Sequence, residues 1–405
     1  MKFNKVGQVS LVSAIALILA STFTACAPVT IDYLYVAGQR ADKNGQGQIQ
    51  SFLVDRVSGA LNPVNSTVES GGVTPVSVAV STDFANLYVA NQGDSSLVQF
   101  SIGGNGVLKA VSTISLGSEG NTPVAIAMNT AGTLLFVANK YQPGCTTTML
   151  DNGTCPGALA VFPVSSTGAL GTPVANGSLN YWPVGVNPTA VNSLAGGTAV
   201  FVSSYDPSAG LGYLYGYNTS TAGALSAVSG SPFDAGVKPV GIASTPTSRF
   251  VYVTDFAQNE LIAYSVLDGG VLHPLINGPF KTGNQPSAIS VDPRGIYIYV
   301  TNELDNTVSA YAISTQTGTP SAAVNTTGSA ANTTQTEPVA ILVDVAFGRY
   351  VYAANFLDNS VSGFQINPAT GTLSATQSTP YPSIGSPVAL ASVPHGNHSI
   401  NVVQP

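Results

Sequence analysis

Glu303 and Asp255 are the residues of this chain whose type best suits general acid–base work. Each lies at or beside the end of a similar segment, Ile298-Tyr-Val-Thr-Asn302 and Val251-Tyr-Val-Thr-Asp255. A base that works near neutral pH needs its pKa raised by burial; the plainer alternative is a pair of solvated carboxylates. The ends of the related segments carry a series of polar residues, Gln39, Asn91, Asn139, Ser204, Asp255, Asn302 and Asn355, with Glu303 adjacent. If these ends converge on a central channel they form a funnel that hydrogen-bonds a ligand. Otherwise Asn and Asp here cap strands and build side-chain turns. Asp94, Asp305 and Asp358 recur three residues after an Asn, which fits the turn role.

Other chemistry is thin. The histidines are His273, His395 and His398, none of them near those segment ends, so a Ser-His-Asp relay is not expected. No HExxH, glycine-rich phosphate loop or CxxC occurs, and neither a metal site nor a cofactor is expected. Net charge is −7 with no Lys/Arg cluster, which excludes nucleic acid as a partner.

The elements that position these residues come from a repeat. One copy reads Pro338-Val-Ala-Ile-Leu-Val343, Arg349-Tyr-Val-Tyr-Ala-Ala-Asn355, Asn359-Ser-Val-Ser-Gly-Phe364 and Thr370-Gly-Thr-Leu373. Alternating apolar and polar residues, rich in Val, Tyr and Phe and bounded by turn residues, predict four short strands per copy. A proline opens six copies, at 75, 123, 188, 239, 286 and 338. A second-strand aromatic follows thirteen residues later at Tyr88, Phe136, Phe201, Tyr252 and Tyr299, and fourteen later at Tyr352. A third-strand aromatic then precedes a turn glycine, at 59, 106, 168, 223, 270, 318 and 371, and all but Gly318 lead to a leucine two residues on.

The two ends complete the count. Tyr35 is a second-strand aromatic without an opening proline before it, and Pro387 opens a first strand with no second strand after it. Joined, they make a seventh copy and leave no exposed sheet edge. The prediction is an all-β, seven-bladed propeller of four-stranded blades over residues 33–394, closed by the C-terminal strand, with a tail over 395–405. A monomer is expected. Prolines and second-strand ends fall on one face, which also carries the long connections Gln39–Gly47, Tyr141–Gly157 and Tyr205–Gly212. Longer interblade stretches, Gly171–Asn187 with Trp182 and Ala322–Glu337, reach the same face. Variable loops on a rigid scaffold are where function usually sits.

Residues 1–25 read as a leader: Lys2 and Lys5, an apolar run from Val9 to Ala20, then Phe23-Thr-Ala-Cys26. After it, no apolar run approaches the ~20 residues of a spanning helix, and charged residues are only 8 % of the chain, against roughly 25 % in typical soluble domains. The remaining cysteines, Cys145 and Cys155, are ten apart in a turn-rich insertion and are expected to form a disulfide in an exported chain. Metal binding there lacks a histidine or third thiol.

The leader resembles bacterial lipoprotein signal sequences. That resemblance implies lipidation of Cys26, a short tether over 26–32, and a place in the cell envelope, the outer membrane favoured because Ala27 is not aspartate. Anchored so, the plain face would turn to the membrane and the looped face outward. An ordinary secretory signal cut near Ala25 is the alternative. Segments such as Leu87-Tyr-Val-Ala-Asn91 and Ile366-Asn-Pro-Ala-Thr-Gly-Thr-Leu373 resemble the YVTN-type repeats of the lactonase seven-bladed propellers over most of residues 33–393. The family includes a 6-phosphogluconolactonase, which implies metal-independent lactone hydrolysis. Of its Gly-Pro-Arg-His strand and Asn-Glu-Leu box, only Asn302-Glu303-Leu304 matches; Gln285-Pro-Ser-Ala288 stands where the Arg and His would be. Two readings follow: a module that binds a small molecule, glycan or protein on its looped face, or a hydrolase of neutral lactones built on Glu303. A structural envelope protein is a third.

Overall fold

The computed structural model describes residues 29–42, 44–323 and 331–395. The leader, Cys26 and everything after His395 lie outside the described residues, so the lipidation site and the tail are not part of this description. Seven antiparallel sheets each hold four main strands, in chain order from the innermost outward in six of them. Blade five is representative: Pro239–Ser244, Phe250–Asp255, Glu260–Val266 and Leu272–Pro274. In blades four to seven the outer chain breaks, and a second short piece, such as Phe280–Lys281, pairs with the looped end of the third strand.

The ring closes as the repeat predicts. Pro387–Pro394 pairs with Thr30–Gly38, which pairs in turn with Gln48–Asp55 and then Leu61–Glu69. Because this second strand begins at Thr30, the expected tether over 26–32 ends sooner. The stretch around Trp182 is also more than a connection: Trp182–Val186 is the outer strand of blade three, while Leu170 makes only an isolated bridge with Val164.

Two sets of bonds clasp neighbouring blades and account for the repeat's markers. On the plain face a second-strand tyrosine donates to the turn-glycine carbonyl of the next blade. The pairs are Tyr35 to Gly106, Tyr88 to Gly168, Tyr252 to Gly318, Tyr299 to Gly371 and Tyr352 to Gly59, at 2.7–3.1 Å. The glycine is obligatory: Gly371 has φ +75°, and a Cβ there would lie 2.3 Å from the Tyr297 ring. On the looped face the residue before the third strand accepts from the next blade's pre-proline N–H: Ser95 from Thr122, Asn259 from Gln285, Asn306 from Glu337 and Asn359 from Ser386, at 2.7–3.0 Å. Among the described residues no helix is long and apolar enough to cross a membrane.

Candidate functional site

The first strands, not the second, pack against one another around the axis and border the channel. This corrects the expectation that second-strand ends meet there. Asn91, Asn139, Ser204, Asp255, Asn302 and Asn355 all sit one strand further out, fully buried beneath the loops, each opposite an opening proline. Three of them donate into their own loops, while Oδ1 of Asn91, Asn139 and Asn355 and Oγ of Ser204 stay buried without a partner. Asn302 donates to Thr307 and Ser309 and accepts from the Gly283 N–H; Asn355 donates to Ser360 and Ser362; Asn91 donates to Ser96. These contacts match the turn role rather than a ligand funnel.

Gln39 does not belong to that series. Gly38 pairs with Pro387 as Asn91 pairs with Pro75, so Gln39 is one residue further along. Its true equivalents are Gln92, Lys140, Tyr205, Phe256, Glu303 and Phe356, all half-buried. In six of these seven positions the N–H donates to the pre-proline carbonyl of the same blade: Ser386, Thr74, Asn187, Lys238, Gln285 and Glu337. The collar therefore sits over the looped ends of the inner strands. Six of the pre-proline residues have left-handed φ, from +47° at Asn187 to +60° at Glu337, and Lys238 is the exception. Strain of this kind persists only where the surroundings hold it. Here the clasps from the preceding blade do so at four of the six.

Glu303 and Asp255 are thereby separated in role. Val237, Lys238, Ala257 and Gln258 donate their backbone N–H groups to Asp255 at 2.7–3.2 Å, so it organises the loop and does not pair with Glu303. Glu303 instead stands in the collar between Phe256 of blade five and Phe356 of blade seven. Burial, then the Glu337 carboxylate of blade seven, push the Glu303 carboxyl above its usual range, and Lys238 of blade five pulls it partly back. The Lys238 ammonium lies 4.1 Å from the Phe256 ring centroid and 5.8 Å from that of Tyr205. The pairing of Glu303 with Glu337 and the collar aromatics escaped sequence reasoning. Shifting the strand-end series by one residue would have found the collar.

The insertion in blade three carries a short helix, Thr147–Asp151, and the expected disulfide joins Cys145 to Cys155. His273 lies on the plain face in the wall of a cleft of about 570 Å³ with Arg249, far from Glu303 in the fold. No group of three or more His, Cys, Asp or Glu side chains among the described residues could hold a metal.

Seven four-stranded blades closed into a ring by the two ends of the chain define a seven-bladed β-propeller. The model of the lactonase, seven-bladed β-propeller family matches residues 75–155 and 178–397, and the chain belongs to that family. Among solved structures, the periplasmic gluconolactonase of Pseudomonas aeruginosa is similar with TM-score 0.72 and 18 % identity, over 90 % of this chain and 99 % of that one. A candidate 6-phosphogluconolactonase of Bacteroides fragilis is similar with TM-score 0.70 and 19 % identity, over 89 % and 98 %. At these identities the likeness is one of fold. No curated protein matches the sequence.

Proposed function

We propose that this chain hydrolyses a neutral lactone at the looped mouth of its channel, with Glu303 as the general base. The observation that carries the reading is the setting of Glu303, half-buried and with its pKa raised by burial and by Glu337, as a base near neutral pH requires. In the ionised state Glu303 takes a proton from water as the oxygen attacks the lactone carbonyl carbon. The ring C–O bond then breaks, and the departing alkoxide takes the proton back from Glu303, leaving the hydroxy acid. Lys238 offsets the negative charge that gathers on the carbonyl oxygen. Two carboxylates at the mouth, Glu303 and Glu337, disfavour a phosphorylated substrate.

A second reading, ligand binding without turnover, draws on the half-buried collar aromatics Tyr205, Phe256 and Phe356. Hydrolysis of a panel of neutral and phosphorylated lactones by residues 27–405, beside Glu303→Gln, separates the two. Turnover above the spontaneous rate that Glu303→Gln lowers by about 10²–10⁴ supports the hydrolase; binding without turnover supports the second reading. We also propose export and anchoring through a lipidated Cys26 in the outer membrane. The disulfide between Cys145 and Cys155 fits an oxidising compartment. Incorporation of labelled fatty acid that survives Cys26→Ala would overturn the anchor.

A further inference from the structure

We infer that the lactone taken at this mouth carries an alkyl chain, laid in a cleft between blades five and six beside Glu303; the inference rests on the hydrolase reading above. The cleft encloses about 320 Å³ and is walled by Lys238, Phe256, Ala257, Gln285 and Leu304, with Asn259 and Asn284 completing it. That volume is at the small end of ligand sites.

Part of its polar wall is already engaged by the protein. Asn259 accepts from the Gln285 N–H at 2.7 Å, and Asn284 donates its side-chain amide to Asp305 at 2.8 Å. A polyhydroxylated ring lying there would lose water and find Asn259 Oδ1 and Asn284 Nδ2 already bonded. The apolar surface left to a ligand is the part of the Phe256 ring that Lys238 does not cover, the Ala257 methyl and the Leu304 side chain. Leu304 follows Glu303 directly in the chain, so the apolar wall begins where the base ends.

The loop tips repeat the same chemistry. Leu304 is 63 % exposed, and Leu357, its equivalent in blade seven, is 60 % exposed. Both stand next to collar residues, Glu303 and Phe356, on adjacent blades. Neither leucine is required by the core. An alkyl substituent on the lactone ring, pointing away from the carbonyl, would cover Leu304 and Phe256 while the ester stays beside Glu303 and Lys238. Each buried methylene is worth ~0.8 kcal/mol, so kcat/KM should rise about fourfold per carbon until the chain outgrows the cleft.

The test uses γ-butyrolactone and γ-lactones with side chains of two, four and six carbons, alongside gluconolactone, hydrolysed by residues 27–405, by Leu304→Ser, by Phe256→Ser and by Glu303→Gln. Binding of the matching γ-lactams, which resist hydrolysis, is measured in parallel. The expected result is a rise in kcat/KM and in lactam affinity with chain length, a shallower slope in Leu304→Ser and Phe256→Ser, and turnover lost in Glu303→Gln. Turnover that depends on Glu303 but is flat with chain length, or highest on gluconolactone, overturns the alkyl inference and leaves the hydrolase intact. Absent turnover, or turnover indifferent to Glu303→Gln, overturns the hydrolase. Lactam affinity that is flat with chain length overturns the alkyl cleft whatever the turnover.

Discussion

At the scale of residues, the mouth is a short row of charges across three blades, Lys238, Glu303 and Glu337, and the row predicts how activity follows pH. Glu303 acts only when ionised, so kcat/KM falls as pH drops through its raised pKa. Glu337→Gln removes a raising influence and should move that acid limb to lower pH. Lys238→Met removes the opposing one and should move it to higher pH, while also slowing turnover. Opposite shifts in pH–rate profiles are the expected outcome; shifts of the same sign would place the titrating group elsewhere. Asp255 contrasts with this. Four backbone donors fix it, so Asp255→Asn, which turns an acceptor into a misplaced amide, should cost roughly 1–3 kcal/mol of stability in denaturant melts.

At the scale of elements, the clasps between blades give further expectations. Tyr352→Phe leaves the Gly59 carbonyl unpaired inside the ring and should destabilise by about 1–3 kcal/mol in thermal or denaturant unfolding. Asn306→Ala loses the bond to the Glu337 N–H and places alanine at φ +55°, so its cost should be of the same size or larger. These elements also show what the sequence discloses and what it hides. Proline, tyrosine and turn glycine recur because they open the inner strand, clasp the next blade and turn the chain, so their spacing yielded the blade count and the closure. The collar did not stand out, because its seven members share a backbone position and no chemistry: two Gln, Lys, Tyr, two Phe and Glu. The buried series one residue earlier did stand out, since loop-organising side chains are chemically alike, and that likeness suggested a common ligand. Gln39 reads as a member of it because Gly38, its proper member, has no side chain. Trp182 reads as connection because the Gly-x-Leu signal in blade three leads to a bridge rather than to a full strand.

At the scale of the whole molecule, closure brings two buried carboxyls together. Asp32, on the second strand of blade one, meets Asp344, from the first hairpin of blade seven, whose own oxygens take the N–H groups of Phe347, Gly348, Arg349 and Tyr350. Burial, then the neighbouring Asp344, push the Asp32 carboxyl well above the usual range. A carboxyl held protonated more readily in the fold than in the unfolded chain favours folding below the unfolded value, near ~3.9. That advantage is lost as pH climbs through the raised folded value. Asp32→Asn should therefore match the parent in acid and exceed it in stability as pH rises, by at most about 1.4 kcal/mol per pH unit; melts across pH 4–9 read the divergence. The same closure decides how the ring bears load. Thr30–Gly38 runs between Pro387–Pro394 and Gln48–Asp55, with hydrogen bonds to both sides perpendicular to its length. A pull on the residues before Thr30 acts along the strand and loads both ladders in shear, all rungs together, where a strand at a sheet edge would peel one rung at a time. The blade assembled from the two ends of the chain is thus the one suited to carry tension from its leading end.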